Sequence, residues 1–214
     1  MTRQSDIQSS YDLIADEYVR RIFDELDHKP LDRELLDRFA ERVRDRGPVL
    51  DIGCGPGIVA RYLRHRQVQV TGVDLSLGMV ERARALNPGI DFVQGDMRSL
   101  DVPDGALGGI VGFYSIIHIP PDDVVAVLRE LRRALRPEGL LLLSFHIGSE
   151  PVHLDEMWGH RVTLDFYFFE TEPMKSYLRE AGFEVDDTIE RDPYPEVEVQ
   201  TRRAYLFAKA AASP

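Results

Sequence analysis

Apolar residues recur with two different periods along this chain. Up to residue 46 they return every three or four positions, so the sequence predicts two amphipathic helices, over residues 10–26 and 31–44. From residue 49 onward, short apolar runs alternate with helical stretches, which is typical of a parallel sheet covered by helices on both faces. The predicted strands are residues 49–52, 68–73, 90–93, 109–114 and 140–145, and the helices between them are about residues 57–66, 77–86 and 122–135.

The regular alternation stops after residue 146. A helix is predicted at about residues 173–181, and the last two apolar runs, residues 183–189 and 204–208, suit an antiparallel hairpin at one sheet edge. The pattern therefore predicts an α/β fold with a mostly parallel sheet and an antiparallel C-terminal edge strand. Between these parts, residues 147–172 are predicted to form a loop-rich, substrate-facing insertion, which contains Trp158, Phe166, Tyr167, Phe168 and Phe169.

The composition excludes several classes of function. The 214 residues carry a formal net charge of −11, which argues against a surface that binds nucleic acid. The single cysteine, Cys54, rules out an intramolecular disulfide and favours a reducing compartment. No apolar run reaches the roughly 18 residues of a membrane span. We therefore expect one cytoplasmic domain over residues 1–214, with neither membrane nor nucleic acid among its partners, while the oligomeric state stays open.

The sequence VLDIGCGPG at residues 49–57 places a short apolar strand directly before a glycine-rich turn. Gly53, Gly55 and Gly57 let the backbone turn sharply and let a ligand approach the main chain. A dinucleotide-binding turn would carry a third small residue where this chain has Ile58, and the Gly-Lys-Ser/Thr sequence of a phosphate-binding loop does not occur. The turn therefore favours a nucleoside ligand over a dinucleotide.

Four motifs, in this order, resemble those of the class I, Rossmann-like S-adenosylmethionine-dependent methyltransferases. They are VLDIGCGPG at residues 49–57, VTGVDLS at 70–76, Gly95-Asp96-Met97, and LRRALRPEGLLLLS at 131–144. The resemblance covers about residues 11–208. It implies a three-layer Rossmann-like sandwich whose N-terminal helices, within residues 1–46, form a lid. It also implies S-adenosylmethionine as the cofactor.

The same resemblance implies roles for single residues. Asp51 is expected near the methionyl ammonium, Asp74 at the ribose hydroxyls and Asp96 near the adenine amino group, where carboxylates can accept hydrogen bonds. Tyr11 and Tyr18, in a YDxxAxxY pattern, are expected in the lid over the cofactor, with ordinary core packing as the alternative. The other cofactor-binding residues that it implies are Gly53, Cys54, Gly55, Gly57, Leu75, Met79, Met97 and Phe113.

The acceptor side is predicted from the strand ends and the aromatic insertion. Methyl transfer requires alignment and exclusion of water, and a general base assists when the acceptor is a hydroxyl or an amine. His118 and His146 are the candidate bases because each follows or ends a predicted strand. The histidine spacing predicts no metal site. Five further residues are predicted to contact a small-molecule acceptor: Tyr114, Trp158, Arg161, Phe166 and Tyr167.

The sequence therefore predicts a methyltransferase that acts on a small organic molecule, at oxygen or nitrogen rather than carbon. Two alternatives stay open: a protein that binds S-adenosylmethionine without catalysis, and an NAD-dependent oxidoreductase, which Ile58 disfavours. The chain also departs from the family pattern in one place. Many members carry an acidic residue near the start of the fourth strand, where this chain has Leu-Gly-Gly-Ile at residues 107–110.

Overall fold

A seven-stranded sheet with helices on both faces forms the body of the protein. The computed structural model describes residues 3–211, so residues 1–2 and 212–214 of the predicted domain lie outside the described residues. The helices are α1 (Gln4–Ile22), α2 (Pro30–Val43), α3 (Ile58–His65), α4 (Leu77–Leu86), α5 (Pro121–Ala134) and α6 (Thr171–Glu180). The strands are β1 (Val49–Ile52), β2 (Val70–Asp74), β3 (Asp91–Gln94), β4 (Leu107–Phe113), β5 (Leu135–His146), β6 (Val152–Met157), β7 (His160–Phe166), β8 (Phe183–Arg191) and β9 (Arg203–Ala210).

The strand order of the large sheet is β3-β2-β1-β4-β5-β9-β8. Strands β1 to β5 pair in parallel, and β9 pairs antiparallel with both β5 and β8, so the predicted fold class is confirmed. The order reverses at β1, which lies between β2 and β4. In open α/β sheets, ligands bind at such a switch point, beyond the carboxyl ends of the strands.

The core explains why the central strands are almost wholly apolar. All four residues of β1 are buried, because helices cover both faces of the sheet there. One apolar cluster joins the sheet to α5 and α6, and a second joins it to α2, α3 and α4. None of the described helices is long and apolar enough to cross a membrane.

Close packing by α2 accounts for the unusual glycines of β4. A Cβ atom on Gly108 would lie 2.3 Å from the carbonyl oxygen of Arg46, just beyond α2. A Cβ atom on Gly109 would lie 2.7 Å from Val43 and 3.0 Å from Phe39. Glycine is therefore favoured at both positions, because α2 and the residues just beyond it lie directly against the strand.

The sequence-based boundaries need three corrections. Helix α1 spans Gln4–Ile22 rather than residues 10–26, and β5 begins at Leu135 rather than residue 140. Residues 147–172 are also not mainly loop, because they contain the antiparallel hairpin of β6 and β7. This hairpin forms a separate two-stranded sheet and packs Val162 and Leu164 against Ile7 and Ile14 of α1.

A cluster of buried charges anchors α2 to the C-terminal strands. Asp32 of α2 is fully buried and accepts hydrogen bonds from Tyr205 Oη and from the Arg191 guanidinium, both at 2.9 Å. Glu198, in the loop between β8 and β9, pairs with Arg191, with Arg203 at 3.0 Å and with Lys29 at 3.3 Å. Every charge in this cluster therefore has an opposite charge in contact.

Candidate functional site

A large cleft opens at the carboxyl ends of β1, β2, β3 and β4, and α1 covers it. Its empty space, open mouth included, is about 1240 Å³. The cleft lies beside the point where the strand order of the sheet reverses, which is where open α/β sheets bind small molecules. It is lined by residues from α1, from the turn after β1 and from the segments that follow β2, β3 and β4.

The glycine-rich turn is held in a conformation that only glycine adopts easily. Gly53, Gly55 and Gly57 all have positive φ angles, of 64°, 52° and 85°. A Cβ atom on Gly53 would lie 2.3 Å from the Cβ of Ser115, and one on Gly57 would lie 2.7 Å from Phe92. A Cβ atom on Gly55 would have a Tyr18 ring carbon as its nearest neighbour, at 3.9 Å, so the backbone at Gly55 is open to the cleft.

Two carboxyl groups flank the turn. Asp74 Oδ2 accepts the Gly55 N–H at 2.7 Å, and its Oδ1 accepts the Ser76 N–H at 2.9 Å, which leaves acceptor capacity on both oxygens. Asp51 Oδ2 accepts the Ala60 N–H of α3 at 2.9 Å. Burial raises the pKa of Asp74 to about 6 and the pKa of Asp51 to about 7.

The other end of the cleft is closed by a polar contact from α1. Gln4 Nε2 donates to Asp96 Oδ2 at 2.7 Å, and an Arg98 guanidinium N–H donates to Gln4 Oε1 at 3.0 Å. The backbone N–H of Arg98 donates to the other oxygen of Asp96 at 3.0 Å. All three side chains line the cleft. Asp96 is therefore oriented from both sides.

Further contacts fix α1 over the site. Asp12 Oδ1 accepts from Ser76 Oγ at 2.6 Å and from the Gly78 N–H at 2.8 Å, at the N-terminus of α4. On the opposite side, Ser10 Oγ accepts the Thr163 N–H of β7 at 2.9 Å. Helix α1 thus spans the space between α4 and the hairpin.

One histidine in the cleft belongs to a chain of hydrogen bonds. His118, in the short 3-10 helix after β4, has its Nε2 2.7 Å from Tyr11 Oη and its Nδ1 2.9 Å from the carbonyl oxygen of Asp165. Burial lowers the pKa of His118 to about 4, so the ring is neutral at pH 7. Burial, together with the charge of Asp74, raises the pKa of Tyr11.

Most of the residues predicted from the sequence meet in this cleft. Those that line it are Tyr11, Tyr18, Asp51, Gly53, Cys54, Gly55, Asp74, Leu75, Met79, Asp96, Met97, Phe113, Tyr114 and His118. Gly57 is the residue just before α3 and lies against Phe92 instead. Cys54 is buried, and its position is compatible both with contact to a ligand and with a purely structural role as a small core residue.

The predictions for His146 and for the hairpin residues do not fit their positions. His146 does not line the cleft, because its ring lies between those of Tyr114 and Phe168, and its Nδ1 bonds Thr201 Oγ1 at 2.7 Å. Burial and the nearby Arg203 cation lower the pKa of His146 to about 3. This ring is therefore a packed, neutral part of the wall behind Tyr114.

The aromatic hairpin supports the cleft from outside rather than lining it. Trp158 packs edge-to-face against Tyr18 at 5.8 Å between ring centroids, and Phe166 lies 4.8 Å from the His118 ring. The backbone N–H of Tyr167 donates to the Ile117 carbonyl at 2.7 Å. Arg161 is exposed on β7 and does not line the cleft. Trp158, Arg161, Phe166 and Tyr167 therefore do not line this cleft, and Trp158 and Phe166 pack against Tyr18 of α1 and against His118 instead.

Sequence reasoning missed four contributors to the site: Gln4, Asp12, Arg98 and Asp165. Asp12 stands inside the YDxxAxxY pattern, so its position was a usable signal, but its partner lies 64 residues further along the chain. The contribution of Asp165 is a backbone carbonyl, which no side-chain pattern reveals. Among residues 3–211, no group of histidine, cysteine, aspartate and glutamate side chains could hold a metal ion.

Comparisons with known proteins agree with this geometry. A family model described as "Methyltransferase domain" matches residues 49–139. A protein of Mycolicibacterium smegmatis named "Probable S-adenosylmethionine-dependent methyltransferase" is 31% identical over 165 residues, which are 72% of this chain and 58% of that protein. The malonyl-[acyl-carrier protein] O-methyltransferase of Serratia marcescens is 34% identical over 110 residues, 51% of this chain and 42% of that protein.

The chain belongs to the class I S-adenosylmethionine-dependent methyltransferase family. It spans about half the length of the curated relatives that it matches first. A solved methyltransferase structure from Methanosarcina mazei shares the fold, with a TM-score of 0.70 and 17% identity over 78% of this chain and 93% of that one.

The cleft fits the cofactor that this methyltransferase family implies. Gly53 and Gly57 have no room for a Cβ atom, and the open backbone at Gly55 lets a ligand approach the main chain. Both Asp74 oxygens keep acceptor capacity for the two hydroxyls of a ribose. Asp51 and Asp96 offer carboxylates on either side of that position. S-adenosylmethionine carries donor groups that match all three carboxylates.

Proposed function

We propose that this chain transfers the methyl group of S-adenosylmethionine to a small organic acceptor, at oxygen or nitrogen. The observation that carries the proposal is the glycine turn with Asp74, whose two oxygens remain available for a vicinal diol beside an open backbone. When bound, S-adenosylmethionine supplies an electrophilic methyl group on a sulfonium centre. The chain's own residues have to hold both ligands and exclude water.

The binding roles follow the geometry of the cleft. We assign Asp74 to the ribose and Asp96 to the nucleobase, since Asp96 lies at the end that Gln4 closes. Asp51 is assigned to the cationic amino group, because a buried carboxylate is best satisfied by a charged donor. Helix α1 excludes water, since Tyr11 and Tyr18 cover the cleft.

The acceptor is assigned to the part of the cleft near Tyr11, Tyr114 and His118. These three residues supply two aromatic rings and one neutral imidazole. Arg98 is the one arginine or lysine among the described cleft-lining residues, and it already donates to Gln4 beside Asp96. A neutral or cationic acceptor, such as a phenol or an amine, therefore fits this wall better than a carboxylate does.

Calorimetry with S-adenosylhomocysteine tests the proposal directly. The wild-type protein should bind it, and Asp74→Ala should weaken binding by about 1.5–3 kcal/mol, because a hydrogen bond to a charged group is lost. The matched control is Asp91→Ala, since Asp91 is exposed at the opposite end of the sheet. Absence of binding by the wild-type protein, or equal affinity in the Asp74 and Asp91 variants, would contradict the proposal.

The two alternatives are separated by further measurements. Binding of NADH in preference to S-adenosylhomocysteine would favour an oxidoreductase. Binding of S-adenosylhomocysteine without transfer of labelled methyl groups to a panel of phenols, alcohols and amines would favour a non-catalytic binding protein. Transfer of label from S-adenosylmethionine to one of these compounds supports the proposed activity.

A further inference from the structure

The tautomer of His118 is determined by its backbone partner. A carbonyl oxygen can only accept a hydrogen bond, so the contact of 2.9 Å between Nδ1 and the Asp165 carbonyl requires a proton on Nδ1. The neutral ring then has a lone pair on Nε2. Tyr11 Oη, 2.7 Å from Nε2, must therefore be the donor in that contact.

This arrangement means that the basic nitrogen of His118 is already occupied. The Tyr11 phenol stands on Nε2, and the rings of Tyr11 and His118 meet edge-to-face with their centroids 5.3 Å apart. Phe166 covers the imidazole from the hairpin side, at 4.8 Å. With α1 closed, an acceptor cannot reach Nε2 without displacing the phenol.

The phenolic oxygen of Tyr11 keeps capacity for a second partner. Within residues 3–211, His118 is its one hydrogen-bond partner, and Tyr11 lines the cleft. A phenol that donates its proton can still accept one hydrogen bond or more on its oxygen. A hydroxyl or amine in the cleft would complete that pattern.

We infer that Tyr11 is a catalytic residue that contacts the acceptor and passes its proton to His118. The inference rests on the proposed methyl transfer and deepens it, because the sequence assigned Tyr11 only to the cofactor. His118 then acts as a positioning residue and final proton acceptor, reached through Tyr11. Since Tyr11 comes from α1 and the Asp165 carbonyl from β7, the relay is complete only when the lid lies against the hairpin.

The proton transfers balance. The acceptor heteroatom forms its bond to the methyl carbon, and the electron pair of the broken carbon–sulfur bond stays on sulfur. The acceptor proton moves to Tyr11 Oη as the Tyr11 proton moves to His118 Nε2. Tyr11 therefore stays neutral, which its raised pKa requires, and the positive charge passes from sulfur to the imidazole. The Asp165 carbonyl then accepts a hydrogen bond from an imidazolium.

Nitrogen-15 NMR of the histidine side chains tests the relay without any ligand. The His118 signals are assigned as those lost in His118→Gln. We expect a protonated Nδ1 and a hydrogen-bonded, unprotonated Nε2, and Tyr11→Phe should move only the Nε2 resonance to the position of a free lone pair. A proton on Nε2 in the wild-type protein, or an Nε2 resonance that Tyr11→Phe does not move, overturns the inference.

Kinetics with labelled S-adenosylmethionine tests the chemical role. On the phenol or amine that the wild-type protein methylates fastest, Tyr11→Phe should lower kcat by about a hundredfold or more and change the Kd of S-adenosylhomocysteine less than about threefold. The control is Tyr62→Phe, whose hydroxyl bonds Asp37 at 3.0 Å outside the cleft. If His118 instead took the proton directly from the acceptor, Tyr11→Phe would leave kcat undiminished, because the substitution exposes Nε2. An undiminished kcat therefore overturns the relay.

The failures of the two proposals can be distinguished. Loss of the relay signatures in a protein that binds S-adenosylhomocysteine and transfers methyl groups contradicts only the inference about Tyr11. Absence of S-adenosylhomocysteine binding contradicts the proposed function and removes the basis of the relay. Where no panel compound is methylated, the role of Tyr11 as an acceptor contact fails together with the catalytic proposal.

Discussion

Cofactor binding should depend on pH, because two buried carboxyl groups in the cleft titrate near neutrality. Burial raises the pKa of Asp74 to about 6 and the pKa of Asp51 to about 7. A ligand that donates to these groups binds their ionised forms, since a protonated carboxyl becomes a donor itself. Lowering the pH from 8 to 5 protonates both groups in the empty protein and should weaken the binding of S-adenosylhomocysteine.

The size of the effect follows from the two pKa values. Each group that must lose a proton on binding costs about tenfold in affinity per pH unit below its pKa, or about 1.4 kcal/mol. At pH 5, the requirement for an ionised Asp74, with its pKa of about 6, predicts a loss of about tenfold. The requirement for an ionised Asp51, with its pKa of about 7, adds about a hundredfold.

Titration calorimetry between pH 5 and pH 8 measures this dependence, and buffers of different ionisation enthalpy reveal the protons released on binding. Asp74→Asn should bind S-adenosylhomocysteine more weakly at pH 8. Its affinity should also depend less steeply on pH, by the contribution of one proton, because asparagine does not ionise in this range. Asp91→Asn, at the far end of the sheet, should retain the wild-type slope. An affinity that stays constant from pH 5 to 8 would refute the assignment of the two carboxylates.

Three further substitutions test the supports of the site. In urea denaturation, Gly53→Ala should lower the free energy of unfolding by at least about 2 kcal/mol more than Gly89→Ala does. Both glycines have positive φ angles, but only Gly53 lacks room for a Cβ atom. Glu198→Gln should destabilise by about 3 kcal/mol or more, against less than about 1 kcal/mol for the exposed Glu180→Gln. Asp12→Ala should speed amide hydrogen exchange in α1, because it removes the contacts to the N-terminus of α4. Equal destabilisation by the two glycine substitutions or by the two glutamate substitutions, or unchanged exchange in α1, would contradict these assignments.

The parallel strands could be predicted from the sequence because each one is marked by a short, mostly apolar run. Strands buried on both faces must be continuously apolar, and β1 agrees with its predicted bounds at both ends. The β6–β7 hairpin gave a much weaker signal. Charged residues interrupt both of its strands, and its turn places Trp158 at a φ of 54°, where a sequence pattern leads one to expect asparagine or glycine.

The convergence of the residues that line the cleft at the ends of β1, β2 and β3 was predictable for the same reason. These residues lie within one turn of a strand end, so motif spacing fixes their position along the sheet edge. The Tyr11–His118 contact joins side chains 107 positions apart, and the Asp165 carbonyl comes from a third segment 47 positions further on. Such a contact depends on how α1 and the hairpin dock together, which no single stretch of sequence encodes.

The position of the hairpin changes where acceptor specificity should be sought. Its aromatic residues pack against α1 and His118, so substitutions there should act through the placement of the lid and the imidazole. The proposed acceptor wall is formed instead by Tyr11 and by residues directly after β4, among them Tyr114, all of which line the cleft. Tyr114 has a φ of 53°, and its hydroxyl lies 2.8 Å from Tyr205 Oη, within the buried network around Asp32. A bulky residue persists in this strained conformation only where surrounding contacts impose it. The network that stabilises the C-terminal strands therefore also fixes Tyr114, and with it one face of the proposed acceptor site.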